Sequence, residues 1–350
     1  MKGCILNVSY PFAIVSDFTA GGAEQILLAL DNAIENAGYQ SLVLAPRGST
    51  VRGVLIESDL PEAPYTEENK ARVYEKLQKR ISSILEDYSV DLVHYHGIDF
   101  HYYLPEKKIP VLVTLHLPLC WYSEDAFIEA KKHNVVFNCV SYRQYMYSER
   151  LSEPFEFIEN GVSLPAFPPV NKRGNYTVSM GRICPEKGFH LGMDASKLAG
   201  ISHLLFGKVY PYPQHINYFH SHIVPRLDRR SRLFGQIGFQ KRRMVLSSAR
   251  CLLVPSLVEE TSSLVAMEAL ACGTPVVAFK AGALIDIVQH NVNGFLVEDE
   301  EEMADAILKV STLNAKDCYN TARTHYSKDR MTGQYLDLYE KILRRIKPVF

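Results

Sequence analysis

The chain has 350 residues, long for one domain and comfortable for two, and its 47% hydrophobic and 22% charged residues are those of an ordinary globular protein. A net charge of −1 excludes a nucleic-acid binder driven by bulk electrostatics. Seven scattered cysteines, an odd count with no C-x-x-C, argue against a disulfide framework or a structural zinc site and point to a reducing, cytoplasmic setting. The start "MKGCILNVSYPF" is too mixed for a secretion signal, and no stretch approaches the roughly 20 apolar residues of a membrane span. Contact with a membrane surface stays open.

In chain order, "CILNVSYPFAIV" is predicted as a strand and "AEQILLALDNAIENAG" as an amphipathic helix ending at Gly38. Strand "QSLVLAP", a charged helix from about Thr66 to Tyr88, and strands "VDLVHYHG", "VLVTLHL" and "VVFNCVS" follow. Apolar strands alternating with helices imply a parallel sheet covered on both faces. After "IENGVSLPAFPPVNKRGN" the pattern restarts with strand "YTVSMG", helix 188–199, and strands "SHLLFG" and "SRLFGQ". Helix 239–249, strand "CLLVPS", helix 263–271, strand "TPVVAF", helix 284–290 and strand "GFLVED" complete the series. The fold class is therefore α/β: two Rossmann-like, doubly wound parallel-sheet domains facing across a cleft, over 1–160 and 161–328. A last helix of about 329–350, apolar at Tyr335, Leu336, Leu338, Tyr339, Ile342 and Leu343, must cover apolar surface that either domain could supply.

Ligands of open α/β sheets bind outside the carboxyl ends of the strands, so the loops there are the candidate sites. In "TAGGAEQ", Gly21 and Gly22 allow close backbone approach before a helix whose N-terminus favours an anion, against the plainer reading of a flexible turn. His94 lies inside its strand and reads as a satisfied polar core group, whereas His96 and His116 follow the last apolar residue of theirs and favour the cleft. In "MGRICPEKGFHL", Arg182 and Lys187 suit a diphosphate, arginine by its fork and lysine as a point charge. With those two cations no metal is required to neutralise it.

The stretch "EETSSLVAMEALACGTPVV" carries Glu260 in a loop and Glu268 in the second turn of a helix that Ser262 or Ser263 can cap. That placement differs from a glycosidase pair flanking one bond. It suits one carboxylate on a sugar and one on a second diol, with the amides of Ser262, Ser263 and Leu264 facing phosphates between them.

In these motifs the chain resembles the retaining, nucleotide-sugar-dependent glycosyltransferases of the GT-B fold, family 4. "PSLVEETSSLVAMEALACGTPVVA" is similar to their E-x7-E signature, "GRICPEKG" to their diphosphate site, "AGGAEQ" to their glycine loop, "TLH" to their first-domain histidine and "IENGV" to their entry into the second domain. The resemblance implies a nucleotide sugar held by the second domain, an acceptor held by the first, and a final helix crossing back to the first. It implies catalytic roles for His116, Glu260, Arg182 and Lys187, ribose binding by Glu268, and base contacts around Gly235 and Ile237 in "LFGQIG". His96, Tyr102 and Trp121 become acceptor candidates. Where the family often has Gly-Phe-Gly after the first glutamate, this chain has Thr261, Ser262 and Ser263, which bears on sugar preference.

The expected activity is transfer of a sugar, from a UDP-sugar before a GDP-sugar, to an acceptor hydroxyl of a small soluble molecule such as a pterin, or of a glycan. A nucleotide-sugar epimerase or hydrolase on the same scaffold and a non-catalytic nucleotide-sugar sensor are the competing readings. The basic cluster of Arg226, Arg229, Arg230, Arg232, Lys241, Arg242 and Arg243 reads as a solvated face.

Overall fold

The structure is a computed structural model that describes residues 2–346 apart from Phe18, Ala20, 62–65, 149–154 and 166–172. The chain separates into two compact units, one of the residues up to Glu159 together with those from Arg330 onward, the other of Asn160–Asp329.

The first unit is built on strands β1 (Cys4–Val8), β2 (Gln40–Pro46), β3 (Val54–Ser58), β4 (Leu92–Tyr95), β5 (Val111–Leu115), β6 (Val136–Cys139) and β7 (Phe155–Phe157). They form one parallel sheet in the order β3-β2-β1-β4-β5-β6-β7. Helices α1 (Gly22–Asn36), α2 (Glu67–Asp87), α3 (Glu124–Lys132) and α4 (Tyr142–Ser148) connect them. The strands read as apolar runs because the sheet is covered on both faces: Ile5, Leu6, Val43, Val93 and Leu112 are fully buried. Helix α2 shows how local chemistry sets a boundary, since the Thr66 hydroxyl accepts from the Asn69 amide at its start. Helix α1 stops where Gly38, at φ +83, takes the left-handed conformation that follows a helix end.

The second unit carries β8 (Tyr176–Arg182), β9 (Ser202–Lys208), β10 (Ser231–Phe234), β11 (Cys251–Val254), β12 (Val276–Phe279) and β13 (Gly294–Val297). All are parallel, in the order β10-β9-β8-β11-β12-β13. Its helices are α5 (Phe189–Leu198), α6 (Pro213–Tyr218), α7 (Phe239–Ser248), α8 (Leu264–Ala271), α9 (Leu284–Ile287), α10 (Glu300–Lys309) and α11 (Ala315–His325). In each sheet the order reverses once, between β1 and β4 and between β8 and β11, and ligands of doubly wound sheets bind at such points.

Helix α12 (Lys328–Ile346) ends the described chain and, from Arg330, belongs to the first unit. Polar chemistry chooses its face. The Asn138 side-chain amide donates to the Tyr335 hydroxyl at 2.9 Å, Thr114 Oγ1 lies 3.1 Å from that hydroxyl, and the Tyr339 hydroxyl lies 2.9 Å from His94 Nδ1. All five side chains are fully buried. A buried polar atom is costly unless paired, so these strand residues and the two tyrosines require one another.

Some elements differ from the sequence reading. The first strand is only Cys4–Val8 of the predicted "CILNVSYPFAIV". Edge strands β3 and β7 were not predicted, because an edge strand is short and half-exposed and lacks the apolar run of a central one. Helices α10 and α11 were also missed; the acidic opening of α10, capped by Asp299, masks its apolar face. All seven cysteines are free, and only Cys120 is exposed. No helix among the described residues is long and apolar enough to cross a membrane.

Candidate functional site

At the reversal of the second sheet, β8 runs into a tight loop and β11 into the stretch that precedes α8. The β8 loop turns through a single 3₁₀ turn, Pro185–Lys187, and ends at Gly188. A side chain is excluded at Gly188 twice over: its φ is +57, and a Cβ would lie 2.2 Å from the Pro255 carbonyl oxygen. The Leu257 amide donates to the Glu186 carbonyl at 2.9 Å, so the two loops are tied backbone to backbone. That tie places Lys187 against the second loop. Its Nζ donates to Glu260 Oε1 at 2.6 Å, and the Ser256 hydroxyl donates to the same oxygen. Glu260 is buried, and its carbonyl accepts from the Ala283 amide at 2.7 Å, where Gly282 leaves room for the approach.

Arg182, five residues before Lys187, is placed differently. It is exposed, and its guanidinium has no hydrogen-bond or ion-pair partner among the described residues. It lines a cavity of about 400 Å³ together with Tyr212, Pro213, Gln214 and His215.

Helix α8 begins after Ser263. Ser263 occupies the cap position, but its side chain makes no capping hydrogen bond, which corrects the expected hydroxyl cap. The Ser262 hydroxyl instead accepts from the Asn160 side-chain amide at 3.1 Å. The first amides of α8, from Leu264, are therefore not satisfied by a side chain of their own cap, and a helix start in that state favours an anion.

Glu268 lies in the second turn of α8, buried, with its Oε1 accepting from Arg242 NH2 at 2.7 Å. Burial raises its pKa, and Arg242 opposes the rise. Arg242 thus departs from the solvated face expected for the basic cluster: its side chain is largely covered and committed to a buried carboxylate. Arg226 also leaves that face, pairing with Asp194 at 2.8 Å. Arg229, Arg230 and Arg232 remain exposed. Gly235 is exposed and Ile237 half-buried, both in the loop from β10 to α7, with Ile237 packed on the core of the unit.

In the first unit, Gly21 is the cap of α1 and Gly22 its first residue. The Glu24 carboxylate lies against Gly21, so the helix start that the sequence offered to an anion is already faced by a carboxylate. His94 is a satisfied core group, with Nε2 2.7 Å from Thr114 Oγ1 and Nδ1 bonded to Tyr339. His96 is buried too, its Nδ1 3.0 Å from His116 Nε2 and its Nε2 3.4 Å from Asn7 Oδ1. That is a correction to its expected open position. His116 is only partly covered and ends the chain of rings. Burial holds His94 and His96 well below the usual range and lowers the His116 pKa as well, so the three rings are neutral at physiological pH. Tyr102 and Trp121 are exposed on the turns after β4 and β5, with the Tyr102 ring stacked on Tyr74 at 4.7 Å.

Sequence reading missed four of these groups: Ser256, Asn160 and Arg242, which hold the site residues, and His215, which shares the Arg182 cavity. Asn160 sits inside the quoted "IENGV" and could have been found there. Arg242 sits in a run of three cations that no spacing distinguishes.

Residues 174–312 match the family described as Glycosyl transferases group 1. An uncharacterised glycosyltransferase of Methanocaldococcus jannaschii is 26% identical over 255 residues, 65% of this chain and 67% of that protein. The matches to further curated relatives each span less than a third of the relative's length. Among solved structures, sucrose-phosphate synthase from Thermosynechococcus elongatus superposes with a TM-score of 0.81 at 20% identity, over 98% of this chain and 100% of that one. Anabaena HepE in complex with UDP and glucose superposes with a TM-score of 0.76 at 17% identity, over 96% and 99%.

Proposed function

We propose, from a chain of GT-B fold whose residues 174–312 match the group 1 glycosyl transferases, that the protein transfers a sugar from a nucleoside-diphosphate sugar to an acceptor hydroxyl with retention of anomeric configuration. The observation that carries the reading is the 2.6 Å pair of Lys187 and Glu260 at the reversal of the second sheet, beside the start of α8. Cleaving a sugar phosphate bond puts negative charge on the leaving diphosphate, and fixed cations and amides aimed at that charge are the main catalytic aid. Arg182, Lys187 and the amides near Ser263 and Leu264 are assigned to it, which removes the need for a metal ion in the transfer. Lys187, held by a buried carboxylate, needs little reorganisation.

Glu260 is assigned to the sugar hydroxyls and Glu268 to the ribose, with Arg242 holding the buried Glu268 carboxyl in place. The loop with Gly235 and Ile237 is assigned to the base. In the first unit, His116 is assigned to orienting the sugar or polarising the acceptor hydroxyl. His96 acts through it rather than on the acceptor directly, and Tyr102 and Trp121 offer aromatic faces to an acceptor such as a pterin or a glycan. The acceptor hydroxyl attacks from the face the diphosphate leaves, and a phosphate oxygen takes its proton. UDP is the favoured base carrier, a preference supported by the UDP complex of a structural neighbour. The free cysteines fit a cytoplasmic setting.

The test is a panel of UDP- and GDP-sugars in thermal denaturation. A donor at 100 times its Kd adds about 2.7 kcal/mol of stability, enough for a plain rise in melting temperature. A panel in which no nucleotide sugar raises it sinks the reading.

A further inference from the structure

The loop that carries Arg182 and Lys187 holds a second constellation that the transfer reading leaves unused. Cys184, Glu186 and His215 each offer a ligand atom, and those three atoms all lie within 4.8 Å of one another. Cys184 and Glu186 flank Pro185 on the 3₁₀ turn after β8, and His215 comes from α6. Cys184 and His215 are buried and Glu186 half-buried.

Two of the three groups are incompletely satisfied. Glu186 Oε2 and His215 Nδ1 are buried atoms with no hydrogen-bond partner among the described residues. The Cys184 thiol has a long contact, 3.6 Å to the Arg182 carbonyl, and hydrogen-bonds the Glu186 carboxylate, which leaves the His215 ring nitrogen beside them without a partner. Buried polar atoms are normally paired, and orphans gathered in one place call for a ligand that satisfies them together. A proton or a water supplies one or two such contacts. A metal ion supplies all three at once.

We propose that Cys184, Glu186 and His215 form a Zn2+ site that fastens the diphosphate loop to α6. One thiolate, one imidazole and one carboxylate are all established zinc donors, and the mixture of a soft sulfur with harder nitrogen and oxygen favours zinc over magnesium or calcium, which take oxygen alone. A thiolate and a carboxylate together cancel the charge of the ion. The cationic field of Arg182 and Lys187 is therefore preserved beside it. Three protein ligands leave a fourth position for water or an anionic oxygen, and His215 also lines the cavity that Arg182 lines. The site does not depend on the glycosyl-transfer reading, and its test uses no nucleotide sugar.

Metal-free full-length protein would be titrated with Zn2+ against a chromophoric chelator, and in parallel with Co2+ as a spectroscopic stand-in. One ion per chain and a thiolate-to-cobalt charge-transfer band are expected. Cys184→Ser should abolish that band, and Glu186→Gln and His215→Gln should each weaken zinc by about tenfold or more. Cys120→Ser, which removes the one exposed thiol, should change nothing. X-ray absorption of the zinc-loaded wild type keeps the question open to refutation even if a variant misfolds: one sulfur at about 2.3 Å is expected. A zinc shell without sulfur, a band that survives Cys184→Ser, or no binding at equimolar metal each overturns the proposal.

Discussion

Arg182 and Lys187 are both cations of one short loop, yet their surroundings assign them different work. Lys187 is pinned by Glu260, which Ser256 also holds, so its position is decided before any ligand arrives. Arg182 is exposed and can reorient. An electrostatic aid that is already in place costs no reorganisation during reaction, so Lys187 is the more sensitive of the two to replacement. Lys187→Ala should lower kcat, measured with whichever nucleotide sugar stabilises the protein most, by about 10²-fold or more while circular dichroism shows an intact fold. Turnover within a factor of about three of the wild type would remove Lys187 from the site. The same buried-pair logic explains Arg242: a cation that looked like one of a solvated run is covered because it pairs with the buried Glu268 carboxyl, whose pKa burial raises and Arg242 lowers.

Helix α12 shows what an element adds to the residues it carries. Its apolar positions say that it must cover something, and they would suit many surfaces. Tyr335 and Tyr339 are more selective, because their hydroxyls meet Thr114, Asn138 and His94, which point out of three neighbouring strands of the first sheet. Through His94, whose ring lies 4.1 Å from that of His96, the helix also backs the histidine chain that ends at His116. Tyr339→Phe keeps the ring and leaves His94 Nδ1 buried without its partner, which should cost about 1–3 kcal/mol in urea denaturation. Lys341→Met, on the same helix at a half-exposed ion pair with Glu156, should cost less than about 1 kcal/mol. Equal costs for the two would show that the hydroxyl network does not hold the helix.

At the scale of the molecule, the buried histidines set a limit on acid stability. His94 and His96 sit well below the usual range, and burial pushes His203, enclosed in the second unit beside Thr177, down to about 3. Below pH 6.5 the unfolded chain takes up protons at these positions and the folded chain does not, so stability falls as the pH falls toward 3. Each such histidine contributes a loss of about 1.4 kcal/mol per pH unit within that window. Urea denaturation at pH 7.5, 6.5, 5.5 and 5.0 should show a flat region followed by a steep decline. A free energy of unfolding unchanged between pH 6.5 and 5.0 would mean that the histidines are not buried as neutral groups. The fold that buries them was legible in large part from sequence: "QSLVLAP" is β2 residue for residue, and the helix read from Thr66 to Tyr88 is α2 with its two caps. Both signals are local, one an apolar run of strand length and the other a periodic helix with a hydroxyl at its start. The edge strands β3 and β7 carried neither signal and took shape by pairing with a neighbour.

The sequence by itself determined the α/β class, most of the strands and helices, and the chemical inventory of the site, because periodicity, punctuation and residue type are written along the chain. Only the tertiary structure decided which charges meet. Lys187 and Glu260 are 73 residues apart, Arg242 and Glu268 are 26, and His94 and Tyr339 are 245. Nothing in local propensity links such positions. They are joined because the strands pair out of chain order, β1 beside β4 and β8 beside β11, and because burial makes a lone charge or an unpaired ring nitrogen costly enough that each finds its partner.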